Sequence, residues 1–85
     1  MTDHVLARVL AILSSVAGAD RVPQGAGAHT PLGEKGYWLD SLDMLEVILA
    51  CEHEFPIILA DADELTEEAL ATVGSLAALI ARKLP

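Results

Sequence analysis

The residues with most chemical potential lie between Leu39 and Phe55, where Ser41 stands between Asp40 and Leu42 and an acidic, apolar segment follows. A serine hydrolase needs a Gly-x-Ser-x-Gly turn and a histidine partner. Ser41 has neither in its neighbourhood, and the chain is too short for a triad and a pocket, so no enzyme is expected. A metal centre is not expected either, because His4, His29 and His53 fall on three separate elements. Asp61-x-Asp63 lacks the turn glycine and the spaced closing glutamate of a calcium loop. What remains is a hydroxyl fit to be modified, ahead of a helix fit to be recognised.

That helix is predicted to start near Asp40 or Ser41, where a short polar side chain can satisfy free amides, and to run to Phe55, with Pro56 ending it. At 100 degrees per residue, Met44, Val47, Ile48, Cys51 and Phe55 share one arc, the expected core face. Cys51 therefore reads as a small buried hydrophobe; a lone cysteine forms no internal disulfide. Leu42, Leu45 and Leu49 form a second stripe, flanked by Glu46, Glu52 and His53. It either buries against another helix or makes an exposed docking strip rimmed by acids.

The other elements have to hold that helix in place. Thr2 or Asp3 is placed to cap a first helix running to about Ala17, with Val5, Leu6, Val9, Leu10, Ile12, Leu13 and Val16 as its buried stripe. From Gly18 to Leu39, Pro23, Gly25, Gly27, Pro31, Gly33 and Gly36 exclude a regular helix, and no alternation suggests a strand. A loop that long in a small domain is functional or packs as a covering. Tyr37 and Trp38 at its end suit an apolar plug or a partner contact. Ile57, Ile58 and Leu59 are expected to tuck inward, a short third helix to begin at Thr66 or slightly earlier, and Thr72 to cap a last helix. In that helix Val73, Leu76, Ala77, Ile80 and Leu84 share a face, and Arg82 and Lys83 complement the dipole.

These elements predict one all-α domain over residues 1–85, a four-helix bundle of three main helices and a short third, with the long loop between the first two. Although 53% of the 85 residues are apolar, no run approaches the roughly 18 residues of a membrane span. Met1-Thr2-Asp3-His4 lacks the features of a secretory start, so the expected location is the cytoplasm. Net charge is -8, and from Gly36 to Ala81 there are ten acids and no Lys or Arg. Such a surface repels nucleic acid and attracts basic protein patches, or simply keeps an apolar protein solvated.

Asp40-Ser41-Leu42-Asp43, followed by Leu45-Glu46 and by Glu52-x-Glu54-Phe55, resembles the acyl carrier proteins, whose attachment motif is Asp-Ser-Leu at the start of the second helix. Leu32 and Gly36 resemble the family's approach to the motif, and Thr72-Val73 with Leu76 and Ile80 the start of its last helix. The resemblance implies that Ser41 is esterified by 4'-phosphopantetheine, delivered from coenzyme A by a phosphopantetheinyl transferase, with Asp40 and Leu42 completing the attachment motif. It implies a docking surface of Leu42, Asp43, Leu45, Glu46, Leu49 and Glu52, and an acyl pocket near Met44, Val47 and Cys51. The implied partners are the transferase and acyl-loading, ketosynthase-type and tailoring enzymes with basic patches; a monomer is expected, with no nucleic acid or membrane partner.

His53 stands where the family commonly has an acid, the segment from Pro56 to Val73 is a few residues longer than in fatty-acid carriers, and Tyr37-Trp38 adds bulk before the motif. These departures point to a discrete carrier of a polyketide-like pathway, and Asp40 before Ser41 favours acyl over peptidyl carriers. The rival is an interaction module of the same fold that is never modified, although pure docking gives no reason for the serine.

Overall fold

The computed structural model describes residues 2–59 and 65–85, with only the backbone of Thr2 and Asp3. Among the described residues there are three α-helices: α1 over Thr2–Ala17, α2 over Ser41–Glu54 and α3 over Val73–Lys83. Among the described residues no helix is long and apolar enough to cross a membrane. In α1, Val5, Val9, Leu13 and Ala17 are buried at every fourth position, the repeat that keeps side chains on one face. That face packs against both α2 and α3. Leu6, Leu10, Ile12 and Val16 flank the core and are partly buried. In α3, Val73, Leu76, Ala77 and Ile80 enter the core as expected, joined by Leu79.

The segment between α1 and α2 is a covering with its own hydrogen bonds. Gly18 at φ 82 ends α1, and a 3-10 turn follows over Ala19–Arg21. Farther along, Leu32 N–H donates to Ala71 O at 3.0 Å, Val73 N–H to Thr30 O at 3.0 Å and Gly74 N–H to Ala28 O at 2.8 Å, which ties the loop to the start of α3. Pro31 and Thr72 pair there as an isolated antiparallel bridge. The loop then closes on itself, with Tyr37 N–H donating to Pro31 O, Trp38 N–H to Gly33 O and Leu39 N–H to Leu32 O. Leu32, Tyr37 and Leu39 are thereby buried. Of the two aromatic candidates, Tyr37 is the plug; Trp38 is exposed.

Two further expectations are refined. Ile57 and Leu59 are buried, but Ile58 between them faces solvent, because successive residues of an extended chain point to opposite sides. The expected short third helix is, among the described residues, a single turn: Leu70 N–H reaches Thr66 O at 3.1 Å, and Thr66 Oγ1 caps it by accepting from Ala69 N–H at 3.1 Å. The start at Thr66 agrees with the sequence; the acids Asp61, Asp63 and Glu64 lie outside the described residues.

Candidate functional site

Ser41 is the first residue of α2 and is exposed. The helix starts there because Asp40 is extended at φ -92 and ψ -175 and its Oδ1 accepts from Asp43 N–H at 2.8 Å. Asp43 Oδ2 returns the bond, accepting from Asp40 N–H at 3.2 Å. This reciprocal capping box fixes the entry to the helix and, with it, the direction of the Ser41 side chain. The Ser41 hydroxyl and the amides of Ser41 and Leu42 have no hydrogen-bond partner among the described residues. Free amides at the positive end of a helix dipole suit an anion.

Asp43 also accepts from Arg21, with Nη1 at 2.8 Å from Oδ2. The Arg21 hydrogen bond, aided by the Asp40 amide, holds the Asp43 carboxyl below its ordinary range. Asp43 is thus a charged, engaged acid and a poor proton acceptor, and Asp40 is committed to its cap. The site offers a hydroxyl and an anion-favouring helix end, with no base of its own.

Along the same helix Leu42, Leu45 and Leu49 are 65%, 49% and 51% exposed, so this stripe is not part of the core. Glu46 is exposed beside it. Glu52 differs: it is half-buried, and its carboxylate accepts from Leu59 N–H at 2.6 Å, anchoring the linker after α2. His53 is exposed. The core arc is as expected, with Val47, Ile48, Cys51 and Phe55 buried and Met44 half-buried against them. Burial, reinforced by the charges of Glu52 and Glu54, pushes the Cys51 thiol up to about 12, so it stays protonated at neutral pH.

Met44, Val47 and Cys51 line neither a groove beside Glu52 and Ile58 nor one beside Thr66 and Ser75. The larger groove, about 790 Å³, lies between Glu52, Ile58, Arg82 and Lys83 at the other end of α2. Among the described residues no three His, Cys, Asp or Glu side chains gather to hold a metal ion.

Two arginines escaped the sequence reading. Arg21 bridges the 3-10 turn to Asp43, and Arg8 of α1 binds the end of α2, donating to Glu54 Oε2 at 2.9 Å and to Glu54 O at 2.8 Å. Arg8 also lies 4.3 Å from the centroid of the Phe55 ring. These contacts span 22 and 46 residues, and no local pattern announces them.

A family model described as the phosphopantetheine attachment site matches residues 7–80. No curated protein matches the chain.

Proposed function

The chain belongs to the phosphopantetheine attachment family, non-catalytic carriers that hold 4'-phosphopantetheine covalently, and from that premise we propose that it is an acyl carrier protein, a single carrier domain over residues 1–85, with Ser41 as its attachment point. The observation that carries this reading is the exposed Ser41 hydroxyl at the capped start of α2, beside amides with no partner among the described residues. The residues there fit the group: its phosphodiester would meet the Ser41 and Leu42 amides, and Arg21 offsets the charge of Asp43. When bound, the group supplies a terminal thiol on which acyl chains are held as thioesters. Asp40 and Asp43 hold the helix start rigid, and Ser41 needs no neighbouring base because the transferase is the catalyst.

Leu42, Leu45, Leu49 and Glu46 are the docking surface in this reading, supported by their exposure on the helix that begins at Ser41. They suit basic, apolar patches on the transferase and on loading, ketosynthase-type and tailoring enzymes of fatty-acid-like or polyketide-like biosynthesis. Asp43 and Glu52 belong to that surface mainly by shaping it, since both are tied to the protein's own groups. Met44 at the half-buried edge, with Val47 and Cys51 behind it, is where an acyl chain would enter by parting the packed seam.

The test is to incubate the unmodified protein with coenzyme A, magnesium and a broad-range phosphopantetheinyl transferase, then take intact masses. The wild type is expected to gain one phosphopantetheine and Ser41→Ala none. No gain by the wild type, under conditions that load a control carrier, overturns the reading.

A further inference from the structure

Trp38 is the chain's one tryptophan, and it is 59% exposed. The core does not use it, because Tyr37 fills the plug position. Its backbone is at φ 57, in the left-handed region that glycine enters freely and a bulky side chain enters at a cost. The surroundings impose that geometry, through the hydrogen bonds from Tyr37, Trp38 and Leu39 back to residues 31–33. Glycine would meet this backbone without strain and expose no apolar surface. An aromatic side chain that the fold neither buries nor accommodates easily points to a use outside the fold.

We propose that the Trp38 indole is a docking anchor for the phosphopantetheinyl transferase, seated in an apolar recess of that enzyme beside basic groups that meet Asp40 and Glu46. This rests on Ser41 being the attachment point. In the transfer, Ser41 Oγ bonds to the phosphorus of coenzyme A that bears the pantetheine, and the bond from that phosphorus to adenosine 3',5'-bisphosphate breaks. The hydroxyl proton passes to a base on the transferase. The reacting atoms must come within about 3 Å, so the transferase lies against the surface around Ser41 itself. Enzymes acting at the far end of the arm face no such requirement.

Trp38 is three residues before Ser41, at most about 11 Å along an extended chain. A standard interface covers about 800 Å² of each partner, a disc about 16 Å in radius, and Trp38 falls inside it. Exposed tryptophan is the side chain most often found to dominate such contacts. Leu42, on the other side of Ser41, supplies a second apolar contact. Charge selects a basic partner, since Asp43 is paired with Arg21 while Asp40 and Glu46 have no salt-bridge partner among the described residues.

The experiment compares loading kinetics of wild type, Trp38→Ala, Trp38→Gly and Trp38→Phe with coenzyme A, magnesium and the broad-range transferase. Trp38→Ala and Trp38→Gly are expected to raise KM about tenfold with kcat nearly unchanged, and Trp38→Phe to stay within about threefold of wild type. Trp38→Gly is expected to melt no lower than wild type, which separates the lost contact from a lost fold. With 5-fluorotryptophan at position 38, the fluorine resonance of Ser41→Ala should shift on addition of transferase and coenzyme A. Wild-type loading by Trp38→Gly, or a resonance unmoved at saturating transferase, overturns the anchor and leaves Ser41 as the attachment point. A wild type that gains no arm overturns both.

Discussion

Arg21 holds Asp43 with its Nη1 2.8 Å from Oδ2, while its Nε donates to the Ala17 carbonyl at 3.0 Å. One guanidinium thus joins the end of α1, the 3-10 turn and the first turn of α2. It also changes the electrostatics at Ser41. Two acids at the start of a helix complement its dipole but would repel an anion attached beside them. Pairing one of them with Arg21 keeps the capping box while lowering the local negative charge.

Replacing Arg21 with Gln should therefore raise the Asp43 pKa toward the ordinary value of 3.8, as read by carbon-13 carboxyl titration. The sign for stability follows from the depressed pKa. The pair's contribution is fully present above 3.8 and is lost as pH falls through the lower folded value. Urea unfolding should show Arg21→Gln less stable than wild type at pH 7, with the gap closing in acid below 3.8. An unchanged Asp43 titration would show that the pair does not set its charge.

Glu46 and Glu52 look equivalent in the sequence, as acids on the same helix, but should respond differently to substitution. Glu46→Lys, like Leu45→Arg, should leave stability within about 0.5 kcal/mol, because both side chains are exposed. Partner turnover should fall. Glu52→Ala removes the acceptor for Leu59 N–H and should cost about 1.5–3 kcal/mol, the range for hydrogen bonds to charged groups. Chemical denaturation of the three variants checks the contrast, and equal losses at 46 and 52 would refute it.

The difference between those glutamates marks where the sequence stops being readable. Periodicity located α1, α2 and α3, because each buries one face, and it put Val47, Ile48 and Cys51 inside. Capping chemistry located Thr72 and narrowed the start of α2 to Asp40 or Ser41, of which Asp40 is the cap, because such bonds span only three residues. Whether the Leu42, Leu45 and Leu49 stripe was covered depended on where α1 and α3 pack, which no pattern within α2 encodes. Tyr37 and Trp38 are neighbours of similar chemistry, separated only by a loop whose hydrogen bonds turn one in and the other out. The pairs of Arg8 with Glu54 and Arg21 with Asp43 join residues brought together by the fold alone.

Tyr37 gives a prediction of opposite sign from most core substitutions. Its ring is fully buried, yet its hydroxyl has no hydrogen-bond partner among the described residues. A buried hydroxyl without a partner costs about 1–3 kcal/mol in mutational data, and phenylalanine keeps the ring while removing it. Tyr37→Phe should stabilise the protein by about 1 kcal/mol, which moves the urea midpoint up by about 1 M for a domain of this size. The same burial pushes the phenol pKa upward, so the wild-type ring should resist ionisation on ultraviolet titration beyond the range of an exposed tyrosine. A destabilised Tyr37→Phe would mean that the hydroxyl has a partner after all.

Gly36 lets Tyr37 turn inward, and it does so by bulk rather than by conformation. Its φ is not in the left-handed region, but a Cβ there would overlap the Pro31 carbonyl oxygen, the same oxygen that accepts from Tyr37 N–H at 3.1 Å. The overlap is with backbone, which cannot rotate aside, and shifting Pro31 would also strain its bridge to Thr72. Gly36→Ala should therefore cost about 2–4 kcal/mol. Gly33, three residues earlier, has open space around its Cβ position, and Gly33→Ala should change stability by less than about 1 kcal/mol. Urea unfolding of the two variants decides the matter. Because the loop leads directly into Asp40 and Ser41, Gly36→Ala should also slow phosphopantetheine loading under conditions where it remains folded, while Gly33→Ala loads at the wild-type rate.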